Sequence, residues 1–194
     1  MLQKEKIMFQ LDQPIVTSRL IIRPFTPVDE DDMFDFESRE DVARYLFNEP
    51  RTPENNAEEL AKRVTQTKLD KDGDTLLLAV DYNGTVIGYV LLTLLSRENS
   101  QGEFGYVFHP DYHGKGLASE AAIEMLRLGF ETLNLHRIIG RCDPRNDASA
   151  QLMERLGLRK EAHFRELEIF KGEWGDEFTF AMLKNEWDQR KHTG

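Results

Sequence analysis

The alternation of apolar and polar positions divides the chain into short strands and amphipathic helices. Leu20-Ile21-Ile22-Arg23 reads as a strand stopped by Pro24. Thr26-Pro27 opens a helix: Thr26 can cap, Pro27 suits the first helical position, and Asp29 to Asp32 complement the positive helix end. A short helical stretch is expected over 42–47. Thr52-Pro53-Glu54 opens a helix running to about Lys68, with Leu60 and Val64 on one face. Strands follow over 75–80 and 86–95, and Asn83-Gly84 between them is a hairpin signal. The pattern continues as a strand over 102–108, a loop over 109–115 and a long helix over 117–133. A strand over 137–142 and a helix over 146–156, ended by Gly157, come next. Two last strands fall near 158–170 and 177–183, with Lys171-Gly172-Glu173-Trp174-Gly175 as the turn between them.

The unit from Phe104 to Cys142 is strand, helix, strand, which makes a parallel crossover of right-handed sense. The remaining strands are joined by hairpins. The expected class is therefore α+β: a mixed, mostly antiparallel sheet with helices on both faces. No repeat, low-complexity tract or linker divides the chain, so residues 1–194 read as a single domain.

Composition narrows the classes. Apolar residues make up 40% and charged residues 31%, as in a soluble globular protein. The longest apolar run, Val90 to Leu95, is strand length, and residues 1–13 lack a signal peptide's apolar stretch, so neither a membrane span nor a leader is expected. A single cysteine, Cys142, leaves no internal disulfide and argues against a thiolate metal site. These features suit a cytoplasmic protein. A formal net charge of −10 disfavours nucleic acid as a partner and is compatible with cationic substrates. Assembly into a homo-oligomer is left open.

The chemistry concentrates in Phe108-His109-Pro110-Asp111-Tyr112-His113-Gly114-Lys115-Gly116-Leu117-Ala118-Ser119-Glu120-Ala121. A strand ends, a loop carries two glycines, and a long helix begins. The first amides of that helix lack internal partners and point at whatever lies beyond its end. The helix dipole adds about half a positive charge there, so a pyrophosphate is a natural occupant. Lys115 would add a cation at the mouth. A P-loop needs Ser or Thr after Gly-Lys, but Gly116 stands there. A Rossmann fingerprint needs its glycines directly after a first strand and an acid about 20 positions on, where His136 lies.

The segment resembles the cofactor signature of the GNAT superfamily, Gln/Arg-x-x-Gly-x-Gly/Ala. Gly114 and Gly116 match it, and Asp111 departs from its first position. In detail the chain is similar to the ribosomal-protein N-acetyltransferase (RimJ/RimL-like) branch. Thr17-Ser18-Arg19-Leu20-Ile21-Ile22-Arg23-Pro24-Phe25 resembles its first strand, and residues 114–121 resemble its cofactor loop. Asn146-Asp147-Ala148-Ser149 and Leu152-Met153-Glu154-Arg155-Leu156-Gly157 resemble its second cofactor helix, and Gly172 to Asp176 its last hairpin. Leu158 departs from the aromatic usual after the Leu-Gly pair. The resemblance implies acetyl-CoA as cosubstrate, no metal, and a primary amine as acceptor. It also implies two splayed parallel strands, with pantetheine pairing to backbone around Val107, Phe108 and His109. His113, Gly114, Lys115, Gly116, Leu117, Ala118 and Ser119 would hold the pyrophosphate, and Asn146 and Ser149 the pantetheine. The acceptor would be a protein N-terminus, another small amine such as a polyamine or antibiotic, or, in a sensor without turnover, nothing.

Only a neutral amine attacks a thioester. At pH 7 deprotonation costs roughly 1 kcal/mol for an α-amine and nearly 5 for a lysine. Glu103 is the first candidate base, because it starts the strand that should hold the thioester; otherwise it is a solvated carboxylate. His109 follows on the same strand, either as a proton relay or as a loop residue on Pro110. Glu168 borders the acceptor cleft or lies exposed. The helix over 146–156 holds no tyrosine to protonate the leaving thiolate, so Ser149 is the available hydroxyl, unless it only caps its helix. The cluster Asp29 to Asp32 reads as a cation attractor or a solvated helix start. Trp174 lines the acceptor mouth or packs the turn. Cys142 is the weakest candidate, as an acyl-carrying nucleophile.

Overall fold

The computed structural model describes residues 8–190. The chain runs β1 (Phe9–Gln10), β2 (Ile15–Val16), β3 (Ile21–Pro24), a 3-10 turn (Pro27–Asp29), α1 (Glu30–Glu37), α2 (Glu40–Ala43), α3 (Pro53–Arg63) and β4 (Lys68–Leu69). It continues through β5 (Thr75–Tyr82), β6 (Thr85–Ser96), β7 (Gln101–Phe108), α4 (Leu117–Arg127), β8 (Arg137–Cys142), α5 (Asp147–Arg155), β9 (Arg159–Phe170), β10 (Glu173–Leu183) and α6 (Lys184–Arg190). The main sheet has the order β2-β3-β5-β6-β7-β8-β10-β9 and is antiparallel everywhere except between β7 and β8.

Both faces of this sheet are covered. In β5, Leu76, Leu78 and Val80 enter the larger core with α4 and α5, while Leu77 and Ala79 enter a second core with α1 and α3. The period-2 alternation of a strand thus serves two apolar layers, which is why β5 reads as a continuous apolar run. On β7, Phe104 and Phe108 are buried toward α4 and Val107 packs on the other face. A bulge where Ile87 is skipped in the β5–β6 register shifts that alternation by one. Gly88 sits at this bulge, where a Cβ would meet the Val107 carbonyl oxygen at 2.3 Å, so only glycine lets β6 and β7 approach there.

Several sequence expectations need correction. The helix expected to reach Lys68 ends at Arg63, because Lys68–Leu69 pairs with Phe9–Gln10 as a small second sheet. The helical stretch expected over 42–47 is only Glu40–Ala43. The long helix after the glycine loop keeps α geometry to Arg127 and continues as a π-helical turn over Leu128–Thr132. The last hairpin turns in two residues, Lys171 and Gly172, both at positive φ, so Trp174 lies in β10 and not in the turn. α6 was not anticipated. Its Trp187 stacks on Phe130 and donates from Nε1 to Glu131 at 2.9 Å, which closes the lower edge of the larger core.

The acidic start of α1 is only partly solvated: Glu30 and Asp31 are exposed, but Asp29 and Asp32 are engaged by the fold. Asp29 is 2% exposed and takes a bidentate pair of bonds, both 2.8 Å, from Arg23. Asp32 accepts from the Val86 amide at 2.7 Å. These carboxylates pin α1 to β3 and β6. No helix among the described residues is long and apolar enough to cross a membrane.

Candidate active site

β7 and β8 pair in parallel only at Gln101↔Arg137, Gly102↔Ile138 and Glu103↔Ile139. Beyond that register the strands part, leaving residues 104–108 and 140–142 facing a gap. Amide direction alternates along a strand. The His109 amide bonds Ile87 on β6 at 2.8 Å and the Val107 carbonyl is turned against Gly88. The Tyr106 backbone, two residues before Phe108, therefore faces the gap. The Phe108 carbonyl faces it too, but His113 Nε2 donates to it at 3.1 Å. Of the backbone groups expected to pair with pantetheine, that carbonyl is already taken.

The loop after β7 leads to the open end of the gap. Gly116 is the N-cap of α4 at φ 76°, and Gly114 has φ 74°. A Cβ on Gly114 would meet nothing within 4 Å, and one on Gly116 would meet only Arg19 Nη2, at 3.5 Å. The loop and the first-turn amides of Leu117, Ala118 and Ser119 thus present bare backbone to an open cradle, which fits a pyrophosphate. Lys115 does not reach the mouth. Its Nζ donates to the Asp111 carbonyl at 3.0 Å and lies 4.9 Å from the Tyr112 ring. The cation at this place is Arg19, which donates to the Lys115 carbonyl at 2.8 Å and pairs with Glu120.

His109 is buried, with both ring nitrogens engaged. Nδ1 accepts from the Asp111 amide at 3.1 Å, so Nε2 carries the proton and faces Asp35 Oδ2 at 3.1 Å. His109, expected as a proton relay or a loop residue, is thus tied to its own loop through Nδ1 and to the exposed Asp35 of α1 through Nε2. Glu103 stands at the apex of the gap, on the face of Val107. Both its oxygens bond Arg141, at 2.8 and 2.9 Å, and Arg141 also reaches Glu177 at 3.4 Å. Glu103, the expected base, is thus held by a guanidinium.

α5 begins at Asn146, whose Oδ1 accepts from the Ser149 amide at 3.1 Å. Asn146 is therefore the cap, and the Ser149 hydroxyl is left for other partners. That hydroxyl lies 2.9 Å from the Tyr106 phenol oxygen, whose single proton has both Ser149 Oγ and the Ser149 carbonyl, at 3.1 Å, as acceptors within reach. Nearby is the Cys142 thiol, whose titration the Ser149 hydroxyl lowers against the larger effect of burial. Burial pushes that thiol up to about 11, which disfavours a thiolate at neutral pH. Burial likewise holds the Tyr106 phenol well above its ordinary value. Tyr106 has no role in the sequence reading. Alternation with Phe104 and Phe108 gives its face, but only the packing of α5 across the gap brings it to Ser149.

On the other side of the β8–α5 loop is a pocket of about 190 Å³ lined by Arg44, Tyr45, Arg145, Phe170, Lys171 and Glu173. The Tyr45 hydroxyl donates to the Arg145 carbonyl at 3.0 Å and Lys171 Nζ to the Ala43 carbonyl at 3.1 Å, tying the segment after α2 to this loop and to the β9–β10 turn. Glu168 lies exposed on β9, and Trp174 is 63% exposed on β10. Among the described residues no group of three His, Cys, Asp or Glu could hold a metal.

Comparison with known proteins agrees with this fold. A family model described as an acetyltransferase (GNAT) domain matches residues 19–159. The N-acetyltransferase YnaD of Bacillus subtilis is 34% identical over 90% of this chain and 99% of its own length. A putative ribosomal N-acetyltransferase of the same organism, YdaF, is 29% identical over 57% of this chain and 60% of its own. Among solved structures, a GNAT-family acetyltransferase from Bacillus anthracis superposes with a TM-score of 0.80 at 32% identity, covering 90% of this chain and all of that one. The spermidine N-acetyltransferase of Vibrio cholerae, in complex with CoA and spermine, shares the fold at a TM-score of 0.73 and 24% identity, over 88% and 99% of the two chains. With most of its length matched, the chain belongs to the GNAT acetyltransferase family and is an acyltransferase whose donor is acetyl-CoA.

Proposed function

We propose that the acceptor is a peptide α-amine, as in the ribosomal-protein branch. The observation that carries this reading is the state of the candidate bases. Arg141 holds Glu103, and the Asp111 amide and the Asp35 carboxylate of α1 engage the two nitrogens of His109. With these two groups engaged, the site suits an amine whose deprotonation at pH 7 costs roughly 1 kcal/mol better than one that costs nearly 5. Arg44, Arg145 and Lys171 around the pocket beside α5 also disfavour a polycation there.

The cosubstrate is held by backbone. Gly114, Gly116 and the α4 amides take the pyrophosphate, and the Tyr106 backbone and Asn146 take the pantetheine arm. The amine enters from the pocket side of the gap, and its nitrogen bonds the acetyl carbon as the carbon–sulfur bond breaks. The Ser149 hydroxyl donates to the sulfur as charge develops, and the proton lost by nitrogen ends on the thiol. His109 keeps the loop in place through Asp111 and Asp35.

The test is thiol release with acetyl-CoA and a panel of N-terminal peptides, spermidine and an aminoglycoside. Peptides beginning with Ser or Ala should give the highest kcat/KM. A higher value for spermidine would sink the α-amine reading, and binding of acetyl-CoA without release from any acceptor would indicate a sensor.

A further inference from the structure

Two side chains meet at Ser149: Asn146, three residues before it, and the Tyr106 phenol, which the sequence does not connect to it. A serine in the first turn of a helix ordinarily turns its hydroxyl to backbone or water. Here Asn146 takes over the cap, and the hydroxyl faces a phenol that comes from β7 across the gap. The phenol has one proton and two acceptors within reach, Ser149 Oγ at 2.9 Å and the Ser149 carbonyl at 3.1 Å. When it donates to Oγ, the proton of Ser149 cannot point back at Tyr106 and is directed at whatever sulfur lies in the gap. Tyr106 is also the residue whose backbone faces the gap, so the strand that would pair with pantetheine fixes the phenol in register with it.

From this arrangement we infer that Tyr106 is a positioning residue for acetyl transfer: its phenol orients the Ser149 hydroxyl toward the departing sulfur. The inference rests on the reading of Ser149 as the group that meets the thiolate. No proton leaves Tyr106; its O–H stays intact and only changes the direction in which Ser149 donates. The high phenol value produced by burial agrees with this, since a phenol that does not ionise is a donor throughout the working pH range.

The experiment is a double-mutant cycle on the full chain with Tyr106→Phe, Ser149→Ala and the double variant, reading kcat and KM for acetyl-CoA separately. Tyr106→Phe should lower kcat about tenfold while KM for acetyl-CoA changes by less than about twofold. The double variant should be no slower than Ser149→Ala, because the phenol acts through Ser149. Placing p-aminophenylalanine at position 106 keeps a donor there and should restore most of the rate; it also serves if Tyr106→Phe fails to fold. Undiminished kcat in Tyr106→Phe, strictly additive losses, or a raised KM with unchanged kcat would each overturn the inference. Ser149→Ala turning over as fast as the parent would overturn the Ser149 role itself. A slow Ser149→Ala with a fast Tyr106→Phe would overturn only the inference.

Discussion

Arg19 and Glu120, 101 positions apart, form the contact that fixes the cofactor loop: Arg19 Nε donates to Glu120 Oε2 at 2.7 Å. The same carboxylate accepts from Thr17 Oγ1 at 2.6 Å and from the Arg19 amide at 3.0 Å. Arg19 also holds the Lys115 carbonyl, so the segment before β3 braces both the loop and the first turn of α4. Glu120→Gln should weaken coenzyme A binding by about tenfold, roughly 1.4 kcal/mol, with little change in melting temperature. Calorimetric titration with coenzyme A measures this, and an unchanged affinity would remove the brace from the account of binding.

Gly116→Trp should abolish coenzyme A binding. The position has φ 76°, where a side chain is strained, and its Cβ would point beside Arg19 at the mouth of the cradle. Retained affinity in a folded variant would place the pyrophosphate elsewhere.

Arg141 restrains Glu103 at the apex of the gap. Arg141→Met should free Glu103 and raise kcat/KM for amines of high pKa, such as spermidine, relative to α-amine peptides. The measured quantity is the ratio of the two specificity constants, and a ratio that does not move would remove Glu103 from consideration as a latent base.

The α1–α3 face depends on a buried ion pair. Glu37 and Arg63 side chains are 1% and 3% exposed, and Arg63 lies 4.4 Å from the centre of the Tyr89 ring. Arg63→Met would leave Glu37 partnered only by Arg51 and should cost about 3 kcal/mol of stability. Chemical denaturation measures it. Removing both charges as Arg63→Met with Glu37→Leu should recover part of the loss.

Acid should loosen the junction of β3 and α1. Burial works to raise the Asp29 carboxyl, but the Arg23 and Thr26 hydrogen bonds outweigh it and hold the group below its ordinary 3.8. A carboxyl lowered in the folded state stabilises above its unfolded value, and that contribution is lost as pH falls below about 3.8 toward the folded value. Melting temperature followed from pH 6 to pH 2 should therefore fall less steeply in Asp29→Asn, which starts from a lower stability.

The sequence by itself determined the α+β class and the order of the main elements, and it marked the glycine loop as the candidate phosphate site. Those depend on local physics: strand alternation over 75–95, the spacing of Gly114 and Gly116, and the helix start after them. Asn146 and Ser149 were also marked by their local pattern, although which of them caps could not be read from it. The tertiary structure decided what each group has left to do. Lys115 turns back to its own loop and Arg19 takes the mouth; His109 holds the loop; Arg141 holds Glu103; Tyr106 meets Ser149 from 43 positions away. A side chain's chemistry depends on which partners fill its hydrogen-bonding capacity. In this chain those partners come from strands and helices that are adjacent only after the sheet has formed.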